Sequence, residues 1–118
     1  MQRDPRTYLW DALEAARRIL AFVDGKSWDD YASDLMLSSA VERQFEIVGE
    51  ALSHLSRSSP DTTARIPDVA RIIAFRNVLI HRYASVDSAL VWSFAQERLD
   101  VLIEVLETLL QEINASSQ

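Results

Sequence analysis

The chain has 118 residues, a net charge of −6 and no cysteine. A chain of this length suits one domain with its own hydrophobic core, and the lack of cysteine excludes disulfides and thiolate metal sites. No apolar run reaches the roughly 18 residues of a membrane-spanning helix, and no signal-peptide core follows the N-terminus. We therefore expect one cytoplasmic domain over residues 1–118, with no membrane segment.

The charge is distributed unevenly along the chain. Residues 57–82 contain five arginines and two aspartates, a net +3, which leaves −9 for the rest. Proteins that bind polyanions over a broad surface are usually basic, so any nucleic-acid contact should be local to this stretch. The alternative is that Arg57, Arg65 and Arg71 only solvate a helix face.

The first half of the sequence predicts helices. Apolar residues recur at helical spacing, which favours a first helix over about residues 5–24, with Gly25 after its end. A capped short turn is expected at residues 27–30, and a longer helix over about residues 34–57. Gly49 inside that helix costs about 1 kcal/mol relative to alanine, so we expect a neighbouring helix or protomer to come close there.

The long helix carries an apolar seam with a period near 3.5, which suits packing along another helix. The seam consists of Val41, Phe45, Val48, Leu52 and Leu55. After a turn cluster at residues 58–61, a helix should open at Pro67-Asp68 and end near Arg82 or Tyr83.

The last predicted element is a helix that Asp87 can cap and that runs to about Ile113. It is apolar over more than half of its girth, so it should be central or lie in an interface. Its seam is Trp92, Ala95, Leu99, Leu102, Leu106, Leu109 and Ile113, widened by Leu90, Phe94, Val101 and Val105. Residues 114–118 should form a frayed tail. Together these elements predict an all-α fold, an antiparallel bundle of four main helices with short extra helices.

The segment from Arg76 to Tyr83 concentrates the polar chemistry of the chain. Arginine binds phosphate in a fixed fork, and histidine exchanges protons near neutral pH. RNA can be cleaved without a metal when its own 2′-hydroxyl attacks the phosphodiester, which needs a base, an acid and a cation. In this hypothesis Arg76 holds the phosphate, His81 transfers protons, Asn77 orients His81 or the scissile group, and Tyr83 binds a base or the phosphate.

The spacing of the motif constrains this hypothesis. Arg76 and His81 are five residues apart, so they diverge by about 140° on an ideal helix, whereas Arg76 and Tyr83 share a face. Either the helix ends near His81, or two copies meet across a two-fold axis and share a cleft. A dimer would supply two histidines, one for each proton transfer. The alternative is that His81 only complements the negative end of the helix dipole.

Other polar groups give weaker signals. Glu42, Glu46 and Glu50 lie on one helix face and could bind a cation, but no histidine lies among them. We interpret them as a solvated or interface face, and His54 as structural or solvent-exposed. No glycine-rich phosphate loop or Ser/His/Asp arrangement is visible, so neither a metal nor a cofactor is expected.

The motif resembles the Arg-x4-His-x-Tyr signature of HepT-like proteins, a branch of the HEPN superfamily. Val41–Ala51 resembles the second long helix of that family, and Ile72–Asn77 resembles its approach to the motif. Val86-Asp87 with Val91-Trp92 resembles the start of its last helix. The resemblance therefore covers nearly the whole chain.

This resemblance implies an all-helical homodimer that acts as a metal-independent endoribonuclease, the toxin of a type II toxin–antitoxin pair. The cognate antitoxin would be an MntA-type nucleotidyltransferase that silences the toxin by adding AMP to the motif tyrosine. Carried over to this sequence, Arg76 and His81 are catalytic, Asn77 supports them and Tyr83 is modified.

Two further interpretations remain open at this point. The chain could be a HEPN module that binds a nucleotide or RNA without cutting it, or a helical partner that only regulates a nucleotidyltransferase. In the catalytic interpretation Arg82 and Arg71 are additional candidates for RNA contact.

Overall fold

A computed structural model describes residues 4–81 and 86–116, and all regular elements within them are helices. Their order is α1 (Pro5–Val23), α2 (Trp28–Ser33), α3 (Leu35–Ser58), α4 (Pro60–Thr63), α5 (Val69–Ile80), α6 (Ser88–Glu97) and α7 (Leu99–Ser116). The all-α prediction is confirmed. None of the described helices is long and apolar enough to cross a membrane.

Local sequence explains where the first helices begin. The Asp4 carboxylate accepts the backbone N–H of Arg6 at the start of α1. Ser27 and Asp30 form a reciprocal capping box at the start of α2, as the sequence predicted. Gly25, just after α1, has a φ of 72°, a left-handed conformation that glycine adopts without strain.

The core lies where α3 packs against α1 on one side and α5 on the other, with α7 closing over α1. The predicted seam of α3 is confirmed, since Val41, Phe45, Val48, Leu52 and Leu55 are all buried. It meets the apolar face of α1, formed by Leu9, Ala12, Ala16, Ile19 and Val23.

The prediction of one final helix is wrong, because the helix is divided at Arg98. The Arg98 backbone has φ −118° and ψ −17°, while backbone hydrogen bonds to Phe94 and from Leu102 run through the break. The Arg98 guanidinium binds the Asp68 carboxylate at 2.8 Å. The distortion therefore coincides with a contact to the start of α5, which helical periodicity cannot reveal.

Two further expectations for this region need correction. Leu90 and Val101 do not widen the buried seam, since they are 50% and 51% exposed. The tail is helical through Ser116, whose hydroxyl donates to the Glu112 carbonyl at 2.9 Å and supports the last turn.

The direction of α5 follows from contacts at its two ends. Asp68, the N-cap of α5, binds Arg98 at the end of α6. The C-terminal end of α5 precedes the start of α6 in the chain. The early part of α6 lies beside α2, since the rings of Trp92 and Tyr31 are 5.2 Å apart. Because α2 directly precedes α3, α5 runs antiparallel to α3, and its last turns lie beside the middle of α3, where Arg76 meets Gly49 and Phe75 meets Phe45.

Candidate active site

Arg76 lies on the backbone of α3 at Gly49. A Cβ on Gly49 would overlap the Cβ of Arg76, and would stand 2.9 Å from its Cγ and 3.2 Å from the carbonyl oxygen of Ile72. The expectation that a neighbouring helix comes close at this glycine is confirmed, and the neighbour is α5. Gly49 thus lets the arginine stem lie directly against α3.

The guanidinium of Arg76 turns toward Asn77. Its Nη1 donates to the Asn77 Oδ1 at 2.8 Å. On a helix, Asn77 lies about 100° around the axis from Arg76, and His81 about 140° in the same sense. The bond therefore holds the guanidinium next to the Asn77 amide.

His81 leaves the helix that carries the motif. α5 ends at Ile80, and His81 has φ −108° and ψ 34°, while its N–H still donates to the Asn77 carbonyl at 3.1 Å. The predicted helix end near His81 is thus confirmed, while the return of His81 toward Arg76 stays a prediction. His81 is exposed at the C-terminal end of α5.

Arg76 keeps one donor without an acceptor. Its side chain is half-buried, and its buried Nε has no hydrogen-bond partner in the part of the chain that the structure describes. An unsatisfied buried donor costs about 1–3 kcal/mol and is rare in folded proteins. The close packing of the Arg76 stem on Gly49 therefore buries this donor at an energetic cost.

An apolar groove of ≈270 Å³ lies beside this site. It is lined by Arg71, Ala74, Phe75 and Val78 of α5 and by Leu90 and Phe94 of α6. Ala74 precedes His81 by seven residues, so the groove borders the helix face of Asn77 and His81. The rings of Phe75 and Phe94 form its floor, where both pack edge-on against Phe45.

The candidate residues for RNA contact have different outcomes. Arg71 lies at the groove with its side chain 67% exposed, and its Nη1 is 3.8 Å from the Asp68 carboxylate. Arg82 and Tyr83 lie outside the described residues. The structure therefore brings together Arg76 and Asn77, places Arg71 at the adjacent groove, and puts His81 just after the helix end.

The three glutamates of α3 do not form one solvated face. Glu42 is 6% exposed, Glu46 binds Arg43 at 3.1 Å, and Glu50 is exposed. Of the predicted solvated or interface face, a solvated position is thus excluded for Glu42, which is buried near Tyr31 of α2. The described residues contain no group of three or more side chains that could hold a metal ion.

Buried Glu42 affects one neighbour. Burial, and then the negative charge of Glu42, raise the pKa of the Tyr31 hydroxyl to about 12. Tyr31 is 1% exposed, and its ring packs between Trp28 and Trp92. A buried carboxylate and phenol therefore lie close together where α2 packs on α3.

Sequence reasoning missed two features of the site. It expected a close approach at Gly49 but did not identify Arg76 as the neighbour, since the two residues are far apart in sequence. It also did not find the groove, although exposed apolar residues on the motif helix, such as Val78, were a possible signal.

Comparisons with known proteins show which family the chain belongs to. A family model described as "Ribonuclease HepT-like" matches residues 12–109. The probable ribonuclease HepT of Thermococcus cleftensis is 32% identical over 104 residues, covering 86% of this chain and 92% of that protein. A Methanocaldococcus jannaschii protein, whose name proposes an RNase, is 31% identical over 98 residues, covering 81% and 87%.

A third relative extends the similarity along the chain. A Caldanaerobacter subterraneus protein, again named as a proposed RNase, is 28% identical over 110 residues, covering 93% of this chain and 97% of its own. No solved structure matches the chain at a significant level. The matched region includes Gly49, the motif and the groove, and the chain belongs to the HepT-like ribonuclease family.

Proposed function

We propose that this protein is a metal-independent endoribonuclease and the toxin of a type II toxin–antitoxin pair. The observation that carries the proposal is the make-up of the motif at the end of α5, where Arg76 binds Asn77 at 2.8 Å and His81 follows directly after the helix. The motif thus holds a cation and a group able to transfer protons. This is the pair that phosphodiester cleavage by an internal hydroxyl requires.

The reaction follows from these roles. A base removes the proton of the RNA 2′-hydroxyl, whose oxygen attacks the phosphorus, and the bond to the 5′-oxygen breaks. An acid donates a proton to that leaving oxygen, giving a 2′,3′-cyclic phosphate and a 5′-hydroxyl end. Arg76 would stabilise the additional negative charge on the phosphoryl oxygens. His81 would serve as the proton-transfer group.

One histidine cannot perform both proton transfers at once, so we propose that the protein acts as a homodimer. Support comes from the apolar surface beside the site, where Val78 and Leu90 are 56% and 50% exposed at the groove and Ile80 is 44% exposed. Contact between two such faces would bury apolar area and bring two His81 residues into one cleft. A two-fold axis would also bring together two Arg76 residues.

We further propose that a nucleotidyltransferase partner of the MntA type silences the toxin by adding AMP to Tyr83. Tyr83 belongs to the same motif as Arg76, so adenylate there would add bulk and negative charge close to the arginine in the chain. It would compete with the substrate phosphate. RNA and such a partner meet in the cytoplasm, where we expect the protein to act.

The decisive experiment compares the two histidines of the chain. Expression of the wild type should arrest growth, and the purified dimer should cleave RNA in the presence of EDTA and leave 2′,3′-cyclic phosphate ends. His81→Ala should abolish both effects, whereas the matched control His54→Ala, which stacks on Tyr8 in α1, should retain them. Full cleavage by His81→Ala protein would refute the catalytic assignment, and RNA binding without cleavage by the wild type would indicate a binding module.

The regulatory part needs a separate test. After co-expression with the neighbouring nucleotidyltransferase gene, mass spectrometry should find adenylate on Tyr83. Tyr83→Phe protein should escape silencing by the partner. Adenylate at another residue, with Tyr83 unmodified, would refute this assignment while leaving the ribonuclease proposal intact.

A further inference from the structure

We propose that Gly49 is a positioning residue of the active site, because the space left by its missing side chain determines where Arg76 holds its guanidinium. The inference rests on the proposed ribonuclease function. It concerns a residue on a different helix from the motif, 27 positions earlier in the chain. Gly49 would touch neither the substrate nor the reacting atoms.

The position of Gly49 is not one where glycine is needed for backbone conformation. It lies in the interior of α3, and only Gly25 and Asp68 have a positive φ among the described residues. Alanine there would favour the helix by about 1 kcal/mol, so a packing reason must oppose it. The close approach of the Arg76 stem is that reason.

The atoms that a side chain at this position would meet cannot simply move aside. Two of them, the Arg76 Cβ and the Ile72 carbonyl oxygen, are fixed to the backbone of α5. Only the Arg76 Cγ, 2.9 Å from the added atom, could rotate away. Since carbon atoms pack at about 3.5–4.0 Å, α5 would have to recede from α3 by on the order of 1 Å.

That displacement would act on the reacting geometry. The Cβ and Cγ of Arg76 lie against Gly49, and the guanidinium beyond them binds Asn77. The Nε of Arg76 is buried in this packing. If α5 recedes, the Arg76 stem loses its contact with Gly49 and can rotate, so the charge moves relative to His81, which follows the end of the same helix. Misplacement by about 1 Å can cost on the order of 100-fold in rate.

The first test measures RNA cleavage by Gly49→Ala, with Ala51→Val as the matched control. Ala51 is buried in α3 two residues after Gly49 and lines a second, separate pocket with Tyr8 and His54 on the α1 side. Enlarging Ala51 therefore also crowds α3 but does not touch Arg76. Gly49→Ala should lower kcat by on the order of 10- to 100-fold with little change in KM. Ala51→Val should keep kcat within about threefold of the wild type.

A double substitution separates positioning from general damage. If Gly49 acts through Arg76, then Gly49→Ala should cost nothing further in an Arg76→Ala background, because residues that act as a unit are not additive. Full additivity of the two effects would refute the proposal. Circular dichroism and oligomer size would verify that each variant is folded.

The second test does not depend on activity. The Nε–H of Arg76, assigned by its absence in Arg76→Lys, should give a slowly exchanging NMR signal in the wild-type protein, because the atom is buried. The signal should shift or disappear in Gly49→Ala and persist in Ala51→Val. If the wild type does not cleave RNA while this response is seen, the proposed function fails and the positioning role stands. An unchanged signal and unchanged kcat in Gly49→Ala would overturn the positioning role itself.

Discussion

Replacement of Tyr31 by phenylalanine should stabilise the fold. Tyr31 is 1% exposed, and its hydroxyl has no hydrogen-bond partner among residues 4–81 and 86–116. Tyr31→Phe keeps the ring contacts with Trp28 and Trp92 but removes the unsatisfied oxygen. Because a buried hydroxyl without a partner costs about 1–3 kcal/mol, the free energy of unfolding at pH 7 should rise by about that amount.

The same substitution should change how stability depends on pH. The folded protein raises the pKa of Tyr31 to about 12, whereas an unfolded tyrosine ionises near pH 10. The unfolded chain therefore loses the proton first. The contribution of neutral Tyr31 is complete below about pH 10 and is lost as the pH rises toward 12, at about 1.4 kcal/mol per pH unit. The total is about 2–3 kcal/mol, and Tyr31→Phe should not show this loss.

Urea unfolding of both proteins, at one protein concentration and between pH 7 and 11.5, measures these effects. The other two tyrosines are present in both proteins, so their ionisation cancels in the difference. The stability advantage of Tyr31→Phe should widen above pH 10. A constant difference across that range would refute the assigned pKa, and destabilisation at pH 7 by more than 1 kcal/mol would show that the hydroxyl has a partner.

Three further substitutions test the packing around the site. Val78→Asp should convert the proposed dimer to a monomer in light scattering. Val101→Asp changes a similarly exposed valine outside the groove and should leave the protein a dimer. Dimers of both variants would refute the proposed interface. Asp87→Ala removes the carboxylate that caps α6 and should lower the free energy of unfolding by about 1 kcal/mol, while no change would mean that the cap is dispensable. Leu52→Ala empties a fully buried position and should cost about 2–5 kcal/mol in urea unfolding; a loss below 1 kcal/mol would contradict its placement in the core.

Several features of the fold could be predicted because they depend on neighbouring residues. The helix starts at residues 5, 28 and 88 follow from capping side chains, and the seam of α3 follows from helical spacing. The resemblance of the motif to HepT-like proteins also needed only the order of residues. The break at Arg98 could not be predicted, because it coincides with an ion pair to Asp68, 30 positions away.

The sequence alone determined that the chain is helical, where most helices lie, and which residues form the motif. Only the tertiary structure decided how the Arg76 side chain packs. Helical periodicity put Arg76 and His81 about 140° apart. In the structure the Arg76 stem packs on Gly49 of α3 and the guanidinium binds Asn77, while His81 lies just beyond the helix end. Periodicity and capping act between residues within a few positions, whereas the path of a long side chain depends on the backbone it crosses, which here belongs to another helix.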